Sequence, residues 1–255
     1  MSCLYNESKY SIYIHSKTLS YNIPGYGGLS EHTPDVVYLG NFIVREDVRG
    51  RGVGRQIWKA MLEKAGTRNI ALDSEPYMEE WYEKQGFGHK TYKVLFYNVK
   101  VTEDMKTDVP SSYDVKTLTD DMWSDVLAYD RLVYPDTDRE KILRAWLVGD
   151  EIRTVVAYDG SRVVGYGSIH RKETEQYGLR NVFADSEAVL VAILRDMFRA
   201  VPAGWEVRFM KVEEKAMPAY LAHSVYQNDS ALRMFNKFPV RTNVDRIWFG
   251  TAHIV

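Results

Sequence analysis

The stretch DVVYLGNFIVREDVRGRGVGR, residues 35–55, decides the fold. Its first part, Asp35 to Val44, is mostly apolar, long and β-branched, the pattern of a strand buried on both faces. Glycines then fall at 50, 52 and 54, alternating with Arg51, Val53 and Arg55. The spacing predicts a helix from Gly52 to Lys64, with Ile57, Trp58, Met61, Leu62 and Ala65 on one face and Gly66 as its stop. Strand, glycine turn and helix start together make a device for holding phosphate. The first helical turn leaves N–H groups unpaired, and the helix dipole adds positive charge there. Glycines let the backbone approach a pyrophosphate, and arginines pair with its oxygens. The order G-x-G-x-G is not the dinucleotide fingerprint, and no Lys-Ser/Thr pair completes a P-loop. Read alone, the stretch is also compatible with a plain solvated arginine turn.

Upstream, Lys9 to Ile14 reads as a strand, and Ile23 to Glu31, with Pro24, Gly25, Gly27 and Gly28, reads as a turn. Downstream, Asn69 to Asp73 is a short strand. Pro76 opens a helix carrying Met78, Trp81 and Tyr82 that stops at Gly86, and Lys90 to Val101 is a long strand. Residues 102–112 are polar with one proline and read as a linker. The second half alternates again. Tyr113–Thr117 is a strand, followed by helices at Thr119–Tyr134 and Asp138–Val148. Thr154–Asp159 and Arg162–Arg171 form a hairpin turning at Asp159-Gly160-Ser161. Tyr177–Phe183 is a strand, Ser186–Val201 a helix and Trp205–Val212 a strand. A helix is expected at Asp229–Phe238 and a closing strand at Ile247–Val255. The two halves share one coarse order of elements, so the chain reads as a tandem pair of α/β domains, 1–101 and 113–255.

The chain has 255 residues, 45% of them apolar, enough for real cores. With 33 basic and 35 acidic side chains, no global field favours nucleic acid or an anionic membrane. The one cysteine, Cys3, permits no internal disulfide and fits a reducing compartment such as the cytosol. No apolar run is long enough to span a membrane, no signal peptide is evident, and Ser2 excludes myristoylation. A cytoplasmic protein is expected. His170, His223 and His253 lack ligand spacing with Cys, Asp or Glu, so no metal is expected.

Val44 to Gly54 resembles the acyl-CoA-binding signature of the GNAT N-acetyltransferases, whose core [R/Q]-x-x-G-x-[G/A] is met by Arg49, Gly52 and Gly54. Tyr82-Glu83-Lys84-Gln85-Gly86-Phe87 is similar to the ending of the family's fourth helix. The resemblance covers roughly residues 9 to 100. It implies an α/β fold (an α+β mixed sheet), each domain a mostly antiparallel twisted sheet flanked by helices. It also implies acetyl-CoA as cofactor, with its pyrophosphate over Gly50, Arg51, Gly52, Val53, Gly54 and Arg55, and its pantetheine along Phe42, Ile43 and Val44. The acceptor would be a small-molecule amine or a protein amino group, attacking the thioester directly in a ternary complex.

Tyr82 falls on the family's general-acid position, although beside Trp81 and Phe87 it also reads as a packed aromatic. Its phenol, near pKa 10 when unperturbed, would then be nearly matched to a thiol. For the base, Asp73 and Glu46 are the nearby carboxylates; both also read as capping or surface groups. His32 reads as an exposed loop histidine. Two departures stand out. Glu75 occupies the position where the family often has Asn, and only about eight residues precede the Lys9 strand where the family places a strand and two helices. The first domain is therefore expected to be shortened at its N-terminus.

The second half resembles a divergent GNAT-like domain through Tyr129 to Val133, Asp138-Arg139 and Tyr177 to Asp185. Its phosphate-loop counterpart, Asn181 to Glu187, has no glycine and two carboxylates, so it is not expected to hold CoA. Asp130 and Arg131 read as an ion pair or a site. A CoA-binding pseudoenzyme or scaffold without turnover is the alternative to an enzyme, and a homodimer is a further expectation.

Overall fold

The computed structural model describes residues 3–7, 11–16, 23–107, 111–172 and 175–250. The chain divides into two compact units: unit 1 is 1–91 with Arg233–Pro239 and Val255, and unit 2 is Tyr92–Leu232 with Val240–Ile254. The division falls inside the long strand that ends the first half, away from the polar stretch 102–112, and unit 1 takes a segment from far down the chain.

In unit 1, β1 (Cys3–Glu7), β2 (Ser11–Ser16), β3 (Gly25–Glu31) and β4 (Val36–Val44) pair antiparallel in sequence order. Helix α1 (Val53–Ala65) crosses to β5 (Asn69–Ser74), which lies parallel to β4. A short helix α2 (Glu79–Lys84) follows, and β6 (His89–Lys100) leads out of the unit. Among the described residues no α-helix precedes Val53, and β1 lies where no strand was expected. Lys9 and Tyr10, placed in a strand by sequence, lie outside the described residues.

Of the glycine-rich stretch 23–31, expected as a turn, residues Gly25–Glu31 form strand β3. Its glycines serve packing. A Cβ on Gly25 would lie 2.8 Å from the Ile43 carbonyl oxygen and 3.0 Å from Ile57 Cδ1, and one on Gly27 would lie 2.3 Å from Met61 Sδ. Absent side chains therefore let α1 seat Ile57 and Met61 directly on the sheet. The expected helix at 229–238 is likewise a strand, the end of β12 (Val225–Phe235). Ala231 to Phe235 are all buried, and a strand buried on both faces loses the alternation that would distinguish it from a helix. Phe235 and its neighbours belong with unit 1: Asn236 N–H donates to the Ile70 carbonyl (3.1 Å), its Oδ1 accepts from Ile70 N–H (2.7 Å), and Asn69 Nδ2 donates to the Phe238 carbonyl (2.9 Å).

As far as β11, unit 2 follows the expected order. β7 (Asp114–Thr117) leads to α3 (Trp123–Val133) and α4 (Glu140–Trp146), then to the meander β8 (Ile152–Asp159), β9 (Arg162–Arg171) and β10 (Gln176–Ala184). Gly160 turns the hairpin at φ 61. Helix α5 (Glu187–Phe198) crosses to β11 (Glu206–Val212), parallel to β10, and β11 pairs antiparallel with β6. β13 (Ile247–Phe249) is the described part of the expected closing strand; residues 251–255 lie outside it. The main core packs α5 against Leu179, Val182, Val207 and Phe209. A second core sets α3 and α4 on the other face, against Tyr166 and Phe183.

Candidate functional site

Two irregularities in unit 1 open a slot at the end of β4. Gly40 faces Gly28 on β3, but Ile43 faces Tyr26, so β4 spends three residues where β3 spends two. The extra residue is a bulge, with Asn41 at φ 55. On the other side, β4 pairs with β5 only from Val36↔Asn69 to Leu39↔Leu72. Beyond that point Ile43 and Val44 pair with β3 along one edge, and Phe42 to Val44 have no strand partner on the side of β5 among the described residues. The exposed Ile43 side chain lies on this stretch.

The glycine loop follows. Arg49 Nε donates to the Val44 carbonyl (3.2 Å), tying the loop to the strand end. Gly50 and Gly52 adopt φ 75 and 82, where an L side chain is strained, although a Cβ at either would meet nothing within 4 Å. These two are thus glycines for conformation. Gly54 is a glycine for approach, since its Cβ would lie 3.3 Å from Val44 Cγ2. Gly52 is the N-cap of α1 and supplies no side-chain cap. The first amide bonded back to the cap is that of Gln56, to the Gly52 carbonyl (3.2 Å), so those of the preceding turn have no acceptor within the helix. Arg51 and Arg55 are exposed and, among the described residues, not ion-paired; Arg45 is committed to Asp47 at 2.6 and 2.7 Å.

Below the slot lies an aromatic cluster, wider than the packing of Tyr82 with Trp81 and Phe87 that the sequence suggests. Phe42, Trp58, Trp81, Tyr82 and Phe87 have ring centroids 4.9 to 5.9 Å apart. Two signals were present: Trp58 on the apolar face of α1, and the Trp81-Tyr82 pair at the start of the second signature. Trp58 Nε1 is buried with no hydrogen-bond partner among the described residues. Tyr82 is buried here, and burial, with Glu75 and Tyr77 adding to it, pushes its phenol up to about 12. The expected match to a thiol is therefore lost.

The candidate bases separate. Asp73 sits in a buried fork: Arg233 Nε and Nη2 donate to its two oxygens at 2.5 and 3.0 Å, and the Tyr38 hydroxyl donates at 2.9 Å. Its side chain is 4% exposed and that of Arg233 1%. This carboxylate is a structural partner and not a free base. Arg233, 160 positions along the chain, is its fixed counter-ion. Glu46 is exposed, in a 3₁₀ turn before the loop. His32 is buried rather than exposed, stacked on Tyr38 at 5.8 Å.

Unit 2 repeats the device and fills it. β10 bulges at Asn181 (φ 43), with the same three-for-two register shift against β9, and it pairs with β11 only from Gln176 to Gly178. Into that splay comes β13: Val182 faces Phe249, Phe183 faces Ile247, and Gly250 N–H donates to the Met210 carbonyl of β11 (2.9 Å). The start of α5 is also satisfied from within. Ser186 accepts from Val189 N–H, Asp185 holds Tyr129, Arg162 and Arg246, and Glu187 accepts from Ala219 N–H. Asp130, read as a partner of Arg131, is bonded instead to Arg139 (3.1 Å) and to the Tyr166 hydroxyl (2.6 Å), all three buried.

Comparison with known proteins agrees with this geometry. Residues 4–107 match one acetyltransferase (GNAT) domain family and residues 126–248 another. Holothin acyltransferase of Pseudoalteromonas sp. (strain SANK 73390) is 26% identical over 180 residues, 69% of this chain and 58% of that protein. The chain thus spans under two thirds of that relative's length. A putative acetyltransferase from Pyrococcus horikoshii superposes with TM-score 0.72 at 19% identity, covering 95% of this chain and 79% of that one. A tandem GNAT protein from the clavulanic acid biosynthesis pathway superposes with TM-score 0.60 at 16% identity, covering 88% and 82%. Among the described residues no helix is long and apolar enough to cross a membrane. Two splayed parallel strand pairs, β4–β5 and β10–β11, and two matched domains lead to one assignment: the chain belongs to the GNAT acetyltransferases and carries two of their domains in tandem.

Proposed function

We propose that unit 1 is an acetyl-CoA-dependent N-acetyltransferase that moves the acetyl group to a primary amine by direct attack within a ternary complex. One observation carries this reading: the free edge of Phe42–Val44 lies beside a helix start whose first-turn amides lack intrahelical acceptors. Acetyl-CoA supplies an activated acyl thioester. The amides of Val53, Gly54 and Arg55 receive the pyrophosphate, helped by Arg51 and Arg55. The backbone of Phe42, Ile43 and Val44 bonds the pantetheine amides as a neighbouring strand would. Gly54 keeps the floor of the loop low.

Tyr82 acts as a neutral hydrogen-bond donor to the departing sulfur. Its pKa of about 12 lies roughly 3.5 units above an ordinary thiol, so full proton transfer to a thiolate would be uphill by about 5 kcal/mol, whereas donation costs nothing of the kind. Glu46, the carboxylate left exposed, is the candidate to accept the amine proton. The acceptor is a small-molecule amine or a protein amino group.

Calorimetry with acetyl-CoA, followed by a free-thiol assay against a panel of amines, tests this. Binding that Gly52→Glu abolishes, together with thiol release that depends on an amine, is the expected result. Binding without release for any amine points to the scaffold alternative, and absence of binding removes the cofactor assignment.

A further inference from the structure

Unit 2 carries a second feature that neither domain assignment explains. His170 on β9, Gly178 on β10 and Arg208 on β11 lie in one row across three strands, and Arg180 stands two residues along β10 from Gly178. Their neighbours Ile169, Leu179, Val207 and Phe209 point into the α5 core, so His170, Arg180 and Arg208 share the opposite face. Lys172, two residues past His170, joins them. Gly178 makes room for the histidine ring, since a Cβ there would lie 2.4 Å from His170 Cε1.

Four basic side chains thus meet, and among the described residues none of them is ion-paired. Other arginines of this unit are: Arg139 with Asp130, Arg153 with Asp196, Arg162 with Asp185. The nearest carboxylate on the same face of β11, Glu206, is held by Asn98 Nδ2 (2.8 Å) and the Tyr226 hydroxyl (2.9 Å). Arg208 lies over the Phe96 ring at 5.4 Å.

Burial dominates the response of these groups, and repulsion between them adds to it at Lys172 and His170. Burial first, then Arg208 and Arg180, lowers Lys172; burial first, then Arg180, pulls His170 down to about 4; burial lowers Arg180. Lys172 and Arg180, partly buried, and the exposed Arg208 gather without a counter-charge among the described residues, which costs free energy that a bound anion returns.

We propose that His170, Lys172, Arg180 and Arg208 form an oxyanion-binding site on the β9–β10–β11 face of unit 2, for a small ligand carrying a phosphate or carboxylate group. Arg180 and Arg208 supply the fork-shaped contacts suited to either group, and Lys172 adds a point charge.

The test is calorimetry of the full chain with inorganic pyrophosphate and, separately, with citrate. Arg180→Gln and Arg208→Gln should each weaken binding at least tenfold, and Arg208→Lys should lose less. Preference for pyrophosphate over citrate assigns a phosphate, and the reverse a carboxylate. The loop of unit 1 offers pyrophosphate a site of its own, so the same titrations are run on Gly52→Glu: binding to the basic face persists there, and only the loop's share disappears. Wild-type affinity and stoichiometry in the Arg180→Gln/Arg208→Gln double variant would overturn the proposal. So would a preference for duplex DNA over both small anions at physiological salt. If the variants fold poorly, phenylglyoxal labelling of the wild-type chain gives the answer by mass spectrometry: pyrophosphate or citrate protects Arg180 and Arg208, and unchanged labelling refutes the site.

Discussion

Replacing Arg233 by Met is the most informative single perturbation, because it separates a structural carboxylate from a catalytic one. Asp73 and Arg233 are joined by two charge-assisted bonds at 2.5 and 3.0 Å, with side chains 4% and 1% exposed. Removing the guanidinium leaves a buried carboxylate with the Tyr38 hydroxyl as its remaining bond of the three that hold it. Losing one partner of such a pair costs about 3–5 kcal/mol, a large part of a typical stability of 5–15 kcal/mol. Asp73→Asn/Arg233→Met removes both charges and keeps the Tyr38 contact, so most of the loss should return. Urea denaturation read by hydrogen exchange in 69–74 and 233–239 follows unit 1 alone, which matters in a chain of two units. The same pair of variants then goes into the thiol-release assay. If Asp73 is only structural, the double variant regains turnover along with stability. A double variant that is stable and inactive would return Asp73 to the role of base. A single variant costing under about 1 kcal/mol would refute the burial argument itself.

Three further outcomes are expected. Gly25→Ala should destabilise unit 1 by about 1–3 kcal/mol, because its Cβ meets the Ile43 carbonyl; Gly27→Ala should cost less, since it meets the end of the movable Met61 side chain. Urea midpoints rank the two, and the reverse order would contradict the packing. Tyr82→Phe should lower kcat with little change in acetyl-CoA affinity. The rate of the wild type should show no basic limb from this phenol below about pH 10, because a group raised to about 12 keeps its proton throughout; a tyrosine-dependent limb near pH 8 would refute the neutral-donor role. Equilibrium dialysis should find one acetyl-CoA per chain, since β13 fills the splay of unit 2 and Ser186 caps the helix start there; two sites per chain would refute both arguments.

The sequence made the strand–loop–helix of 35–65 and the second signature legible because each is local: periodicity, glycine spacing and caps act within a few residues. What stayed hidden depends on distant partners. Gly25 and Gly27 look like turn residues until α1 is laid on them. Ala231 to Phe235 look helical because both of their faces are covered. Asp73 looks like a free carboxylate until Arg233, 160 positions away, is placed on it. His32 looks exposed until Tyr38 is stacked beside it. In each instance the residue type was read correctly, and its neighbour, supplied by tertiary packing, changed its role.

The two slots show how little separates a binding device from a filled one. β4 and β10 share the bulge, at Asn41 and Asn181, and each parts from its parallel neighbour after three or four paired residues. The bulge alone therefore confers no binding. In unit 1 the strand edge after it is free, and the helix that follows begins with Gly52 at φ 82, a cap with no side chain to occupy its own amides. In unit 2 the edge is taken by Ile247–Phe249, and the helix begins with Ser186, whose hydroxyl occupies one amide, between Asp185 and Glu187, whose charge opposes phosphate. Opening the second slot would take more than deleting β13: Asp185, held by Arg162 and Arg246, and Glu187 would still occupy the helix start, and a glycine would still be needed where Ser186 stands. Truncation before Ile247 should accordingly expose the strand edge and fail to create CoA affinity, whereas Gly52→Glu in unit 1 removes affinity with the strand edge intact. The anion chemistry of a slot of this kind resides in its helix start, and the strand edge contributes only once that start is bare.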